Sequence, residues 1–266
     1  MTSFIDTHCH LDKLDSTPEE ALKEAKKDGV EKIITISVDE ESFNFVSTAI
    51  VKFINVYGTI GLHPHDASKF SISLDQIIRK LAKGHKKIIA IGETGLDYHY
   101  MNSSSAEQQL AFQKQLQIAI DLNLPVVLHS REAESDTISI LKEISVPALG
   151  VAHSFTSSFK MAKSLLDMGW YIGINGIVTF KNSQDLREIV RAIPLDKLLL
   201  ETDSPFLAPV PLRGTSNKPA NIPLIASFIA NLRKIPMDYL ASKTSENAHK
   251  LFNISSPNSR SVSERF

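Results

Sequence analysis

The sequence predicts an α/β fold, a single (β/α)8 TIM-type barrel with a metal centre at the C-terminal face of its strands, on three observations. Short apolar runs alternate with segments that carry helical signals. The 266 residues hold eight such units of about 33 each, close to the ~250-residue norm of these barrels. Unusual polar residues fall at the C-terminal ends of the runs, the end at which such barrels build their sites. A doubly wound open sheet uses the same alternation, but its usual glycine fingerprint is absent after the first run. Alternation alone leaves closed and open sheets both standing.

The runs, in order, are Phe4 to Ile5, Lys32 to Val38, Ile54 to Leu62, Lys87 to Ile91, Pro125 to Leu128, Ala148 to Ala152, Trp170 to Ile174 and Leu198 to Leu200. Several are apolar on both faces, as strands of a buried parallel sheet must be. Between the first two, Thr17 can cap a helix that has Pro18 in its first position and Glu20 three residues after the cap, with Gly29 as a stop. After the fourth, Phe112, Leu116, Ala119 and Ile120 follow the spacing of one buried helical face. No low-complexity linker divides the chain, so residues 1–254 read as one barrel domain. The last twelve, SSPNSRSVSERF (255–266), contain five serines and read as a flexible tail.

Composition narrows the function classes. With 29 basic against 30 acidic side chains, the net charge of −1 excludes a polybasic coat for gripping long duplex nucleic acid and an acidic disordered chain. The single cysteine, Cys9, cannot form an internal disulfide or a multi-cysteine zinc site, which favours a reducing compartment. The opening MTSFIDTHCHLD is too polar for a signal peptide, and no later stretch reaches ~18 uninterrupted apolar residues. The expectation is a soluble, cytoplasmic protein with no membrane contact and no obligate protein partner.

The candidate chemistry lies at the run ends. His8 and His10 follow the first run, His63 the third, Glu93 the fourth, His129 the fifth, His153 the sixth and Asp203 the eighth. His8 and His10 point to one side, because side chains on a strand repeat with period two. A lone histidine at a strand end is more often solvated or hydrogen-bonded than a ligand. Six metal-type residues on five strands are harder to ascribe to chance: His8, His10, His129, His153, Glu93 and Asp203 offer four nitrogens and two carboxylates. That mixed set suits one or two divalent ions, zinc, manganese or magnesium, with Glu93 the better candidate to bridge a pair. His85 and His249 read as solvent-facing, His99 as an exposed loop residue, and His65 as close to the mouth though only His63 abuts the strand.

Six segments resemble, in order, the motifs of the TatD-type metal-dependent deoxyribonucleases of the amidohydrolase superfamily: FIDTHCHLD (Phe4 to Asp12), GLHPH (Gly61 to His65), IGETGLDYH (Ile91 to His99), LPVVLHSREA (Leu124 to Ala133), VAHSF (Val151 to Phe155) and LLLETDSPFLAP (Leu198 to Pro209). LFN from Leu251 resembles the family's last helix. The resemblance implies a (β/α)8 barrel, one or two divalent metals and hydrolysis of phosphodiester bonds in DNA, typically from a 3′ end. It implies that His8, His10, Glu93 and Asp203 hold one ion and Glu93, His129 and His153 the other, with His63 beside the scissile phosphate and Glu201 in the same mouth. Ser154 and Leu212 depart from the family pattern, which bears on substrate preference and touches no ligand.

In such a site Asp203 is placed to orient the attacking water and accept its proton. Glu201 either fixes that water or a ligand histidine, or is a structural carboxylate paired with a neighbouring strand's cation. Arg131 and Arg213 offer forked contacts to phosphate, or serve as ion pairs. Lys181, Asn217 and Lys218 lie in loops suited to holding a chain end, and Tyr98, Tyr100 and Phe155 are available for stacking or for packing. DNA ends or short oligonucleotides are the expected partners. Two rival functions remain: a hydrolase of amides, esters or lactones on the same metal centre, and a non-catalytic scaffold, which the six-residue set argues against because a structural zinc site needs only about four ligands.

Overall fold

The computed structural model describes residues 3–144 and 150–254, which form eight parallel strands neighbouring one another in sequence order. The strands are β1 (Phe4–Cys9), β2 (Val30–Thr35), β3 (Val56–Ile60), β4 (Ile88–Asp97), β5 (Val126–Arg131), β6 (Gly150–Ala152), β7 (Tyr171–Ile174) and β8 (Leu198–Leu200). The helices are α1 (Pro18–Lys27), α2 (Glu40–Lys52), α3 (Ile72–Gly84), α4 (Ser105–Leu122), α5 (Glu134–Glu143), α6 (Phe159–Asp167), α7 (Gln184–Ala192), α8 (Ile222–Arg233) and α9 (Met237–Phe252). The last strand returns to the first through a parallel bridge between Cys9 and Ser204, and the Thr7 hydroxyl donates to the Leu200 carbonyl at 3.0 Å. The sheet is therefore a barrel, and the open-sheet alternative falls. No described helix is long and apolar enough to cross a membrane.

Local signals set the helix ends. The Thr17 side chain accepts from the Glu20 amide while the Glu20 carboxylate accepts from the Thr17 amide at 3.0 Å, closing the expected capping box with Pro18 in the first turn. On α4, Phe112, Leu116 and Ala119 are buried as expected, but Ile120 is only half-buried. Gln108 and Gln115 share the buried face, because each side-chain amide satisfies strand-end backbone that a leucine would leave unpaired.

Two layers of core follow. The larger lies between sheet and helices and includes Trp170, Phe4 and Phe112. The smaller fills the barrel: Ile5, Ile34, Ile89, Val127, Val151, Tyr171 and Leu199 cluster with Ala248, Leu251, Phe252 and Ile254, so α9 closes the end where the strands begin. His249 of that helix is half-buried rather than solvent-facing; its Nδ1 lies 2.8 Å from the Ile254 carbonyl, tying down the chain after the helix.

The largest departure from expectation is β4, which runs on to Asp97 past the anticipated end at Ile91. Gly92 and Gly95 take φ of +143° and +144°, open to glycine, and the pairing register shifts between Ile91 and Thr94. The polar GETG stretch thus stays in the sheet, and Glu93 sits inside the strand rather than beyond it. The first two residues of the sixth run, 148 and 149, and the serine-rich tail, 255–266, lie outside the described residues.

Candidate metal centre

Seven side chains expected at the strand ends meet at the mouth of the barrel. His10, His63, Glu93, His129, His153 and Asp203 line one cavity of about 740 Å³, and His8 lies fully buried beneath it. Glu93 is the hub. Its Oε2 lies 3.4 Å from His8 Nε2, while its Oε1 lies 2.8 Å from His153 Nε2, 2.9 Å from His129 Nδ1 and 3.4 Å from His63 Nε2. On the first side, Asp203 Oδ1 approaches His8 Nε2 at 3.7 Å and His10 Nε2 at 3.6 Å. The two oxygens of one carboxylate therefore face two sets of imidazoles, the arrangement a bridging ligand requires.

Buried polar atoms show what the cluster is built to hold. Both ring nitrogens of His8 and of His153, and Nδ1 of His10, are buried without a hydrogen bond, although carboxylate oxygens stand close by. A buried donor or acceptor left unmade costs ~1–3 kcal/mol, and five such nitrogens on three neighbouring rings suit a ligand that takes them up. Three groups have donor atoms within 4.8 Å of one another: His8, His10 and Asp203; His63, Glu93 and His129; and His8, His153 and Glu201. Imidazole and carboxylate at this spacing fit divalent cations of the zinc or manganese type.

A family model described as TatD related DNase matches residues 5–253. The chain belongs to the TatD family. It is 39% identical over 254 residues to an uncharacterized metal-dependent hydrolase of Bacillus subtilis, YabD, covering 94% of this chain and 99% of that one. To another of Escherichia coli, YcfH, it is 37% identical over 266 residues, covering 97% and 99%. The crystal structure of YjjV, a TatD homologue from E. coli, superposes with a TM-score of 0.89 at 31% identity, covering 95% of this chain and 98% of that one. The protein is thus a metal-dependent hydrolase.

The TatD site is strongly polarised. Burial alone would raise the Glu93 carboxyl, but His153, His63 and His129 around it hold it well below the usual range. Burial would lower His153, yet Glu93 and Glu201 push it well above the ordinary histidine value; His129 is likewise raised, against burial, by Asp97 and Glu93. His63 behaves oppositely: burial lowers it to about 4. Its Nδ1 accepts from the His65 amide at 3.1 Å, so the neutral ring carries its proton on Nε2, the nitrogen facing Glu93. A protonated Nε2 is a hydrogen-bond donor, aimed here at the Glu93 carboxylate.

Glu201 is fully buried; its Oε1 accepts from the Ser154 amide and lies 3.7 Å from His153 Nδ1. Among the described residues no lysine or arginine pairs with it, so the charge it faces is that of the His153 ring. A Cβ on Gly173 would stand 2.4 Å from Glu201 Oε2, so only glycine on β7 leaves this carboxylate its space. Ser154 also accepts from Asn175 Nδ2 at 2.8 Å, which ties the sixth-strand turn to the seventh. Behind the ligands, Asp6 accepts from the amides of Thr202 and His8 and from the Thr202 hydroxyl, bracing β1 against the Asp203 turn.

Other expected residues divide. Arg131 and Tyr100 line the cavity. Arg213 does not: its guanidinium lies 3.7 Å over the Phe180 ring. Lys218 pairs with Glu24, Asn217 holds the carbonyls of Thr202 and Phe206, and Lys181 is exposed away from the cavity lining. The Tyr98 hydroxyl donates to Asp136, Phe155 is buried, and His99 pairs with Glu132.

Asp97 has no role in the sequence reading, and His65, expected near the mouth, lines the cavity beside it. Asp97 Oδ2 lies 3.0 Å from His129 Nε2 and 3.2 Å from His65 Nε2. A carboxylate on the nitrogen of His129 that faces away from Glu93 fixes the tautomer and ring plane of that histidine. The available signal was spacing: Asp97 follows Glu93 by four, an even step along one strand.

Proposed function

We propose that this metal-dependent hydrolase cleaves phosphodiester bonds of DNA, as a 3′-5′ exonuclease on single-stranded or frayed ends. The observation that carries the reading is Glu93, whose two oxygens face separate imidazole sets in one mouth, since paired ions suit in-line displacement at phosphorus. Divalent ions held there supply a water nucleophile near neutral pH and Lewis acidity toward phosphoryl oxygens. The chain's own residues do the rest. Asp203, oriented toward His8 and His10, accepts the proton of the attacking water. His63 presents its Nε2 proton beside Glu93 to a phosphoryl oxygen. Arg131 and Lys13 line the cavity and offset the charge of the incoming chain, while Glu201 keeps His153 in place.

The test is an end-labelled oligonucleotide incubated with metal-loaded protein and Mg²⁺, Mn²⁺ or Zn²⁺. Shortening from the 3′ end, lost in Glu93→Ala, is expected. No cleavage by the wild type, or full activity in the variant, overturns the reading. Turnover of a small amide, ester or lactone with DNA untouched assigns the centre to that chemistry instead.

A further inference from the structure

Six imidazoles of the mouth form a continuous series of ring contacts, joined on one side by the exposed ring of Phe206 and on the other by that of Tyr100, which also meets His99 at 4.8 Å. Phe206 meets His10 edge-on at 5.9 Å; His10 meets His8 at 5.2 Å; His8 stacks on His153 at 3.7 Å; His153 meets His129 at 5.7 Å; His129 meets His63 at 4.6 Å; His63 meets His65 at 4.3 Å; and His65 meets Tyr100 at 5.3 Å. The metal-type residues therefore lie between Phe206 and Tyr100. Both line the cavity, and they are 50% and 57% exposed in a site whose other rings are mostly buried.

Each ring hangs from backbone fixed by the site itself. The Phe206 amide donates to the Asp203 carbonyl at 2.9 Å, and its own carbonyl accepts from Asn217 Nδ2 at 2.8 Å. The Tyr100 amide donates to Asp97 Oδ1 at 3.1 Å, and the Arg131 guanidinium lies 4.9 Å from the centre of the Tyr100 ring. Arg131 thereby places a positive charge over the Tyr100 ring. Two exposed aromatic rings therefore line one cavity, with the imidazoles of the site between them in the series of ring contacts.

We propose that Phe206 and the Tyr100–Arg131 pair are two stacking platforms that take the bases on opposite sides of the scissile phosphodiester, making a single-stranded dinucleotide unit the recognised element. The inference rests on the nuclease reading above and adds its specificity. Stacking accepts any base, because every base has a π face, so the platforms select unpaired nucleotide ends over small esters without selecting sequence. Paired bases stack on each other and cannot enter between the platforms.

The test compares wild type, Phe206→Leu and Tyr100→Leu, all metal-loaded, on three single-stranded oligonucleotides: one complete, one abasic on the 5′ side of the cleaved bond and one abasic on the 3′ side. Removing either base is expected to lower wild-type kcat/KM roughly 5- to 150-fold, mainly through KM. Each variant should lose a similar factor on the complete substrate and nothing further on the substrate missing the base it stacks, with Phe206 and Tyr100 coupled to opposite bases. Wild-type cleavage indifferent to the abasic sites, or equal losses by a variant on all three substrates, overturns the platforms while leaving the nuclease reading intact. Failure of the wild type to cut even the complete strand overturns the nuclease reading, and the platforms with it.

Discussion

The same strands build a dry floor and a charged mouth, and a few residues separate the two. β1 carries Ile5 in the floor and His8 toward the mouth; β4 carries Ile89 and then Glu93; β5 carries Val127 and then His129; Val151 precedes His153, and Leu199 precedes Glu201. The floor is sealed by α9 and is apolar apart from the buried Tyr171 hydroxyl. The mouth buries carboxylates and imidazoles whose nitrogens lack partners, which costs stability unless a ligand compensates. The contrast assigns work along the strand: the N-terminal half holds the barrel together, and the C-terminal half spends part of that stability on a preformed cation site.

Removing the hub should have the largest effect. Glu93→Ala takes both carboxylate oxygens from the two imidazole sets. Loss of several kcal/mol of transition-state stabilisation corresponds to a fall in kcat of roughly 10³-fold or more, accompanied by a lower metal content in elemental analysis. On the floor, Phe252→Ala empties a buried site under α9 and is expected to cost about 3–5 kcal/mol in urea unfolding, with metal content and kcat/KM per folded molecule retained. If the floor variant loses metal, or the mouth variant loses only stability, the division of labour is wrong.

The floor and the ligands differ from their supports in how openly the sequence displays them. Apolar runs and the polar residues at their ends are visible strand by strand, and it is their recurrence at the same end of several runs that makes the barrel, the six metal-type residues and His63 legible. Asp97 cannot, because the polar GETG segment breaks the apolar pattern and hides the continuation of β4. Gln108 and Gln115 look like solvated helix positions, and their partners, the backbones of Asp97 and Leu62, are brought to them only by tertiary packing. Arg213 errs in the other direction: its loop position suits phosphate, but the nearby Phe180 ring captures the guanidinium. Phe206 escaped notice because one exposed aromatic gains meaning only when its position relative to His10 is known.

A support within the mouth gives a smaller effect than a ligand. Asp97→Asn keeps the shape but removes the charge that faces His129 and His65. The expected loss of metal affinity is about 10- to 100-fold, measured by competition with a chromophoric chelator, with little change in unfolding midpoint. An equal loss in His65→Gln would place the role of Asp97 at the cavity wall; retention of affinity there would place it on His129.

The smallest effect is a pH dependence whose sign follows from the charges. Glu93 and Asp203 are held below the usual carboxylate range, the first by surrounding histidines and the second by His10 and His153, each against the opposing pull of burial. They are already ionised at neutral pH and release nothing when a cation arrives. Burial holds His8 and His63 low, so these rings are already neutral. His129 and His153 are raised despite burial, by Asp97 and Glu93 in the first case and chiefly by Glu93 in the second. The carboxylates thus favour the protonated form of both rings in the metal-free protein, and a ligand nitrogen must be free of its proton. Metal binding should therefore release protons from these two rings, and apparent affinity should rise with pH by up to about tenfold per pH unit for each proton released. The rise should run through the pH range below the raised histidine values and level off above them. Titration calorimetry in two buffers of different ionisation enthalpy counts the protons directly; no release near pH 7 would mean that the charge of the mouth is balanced without these histidines.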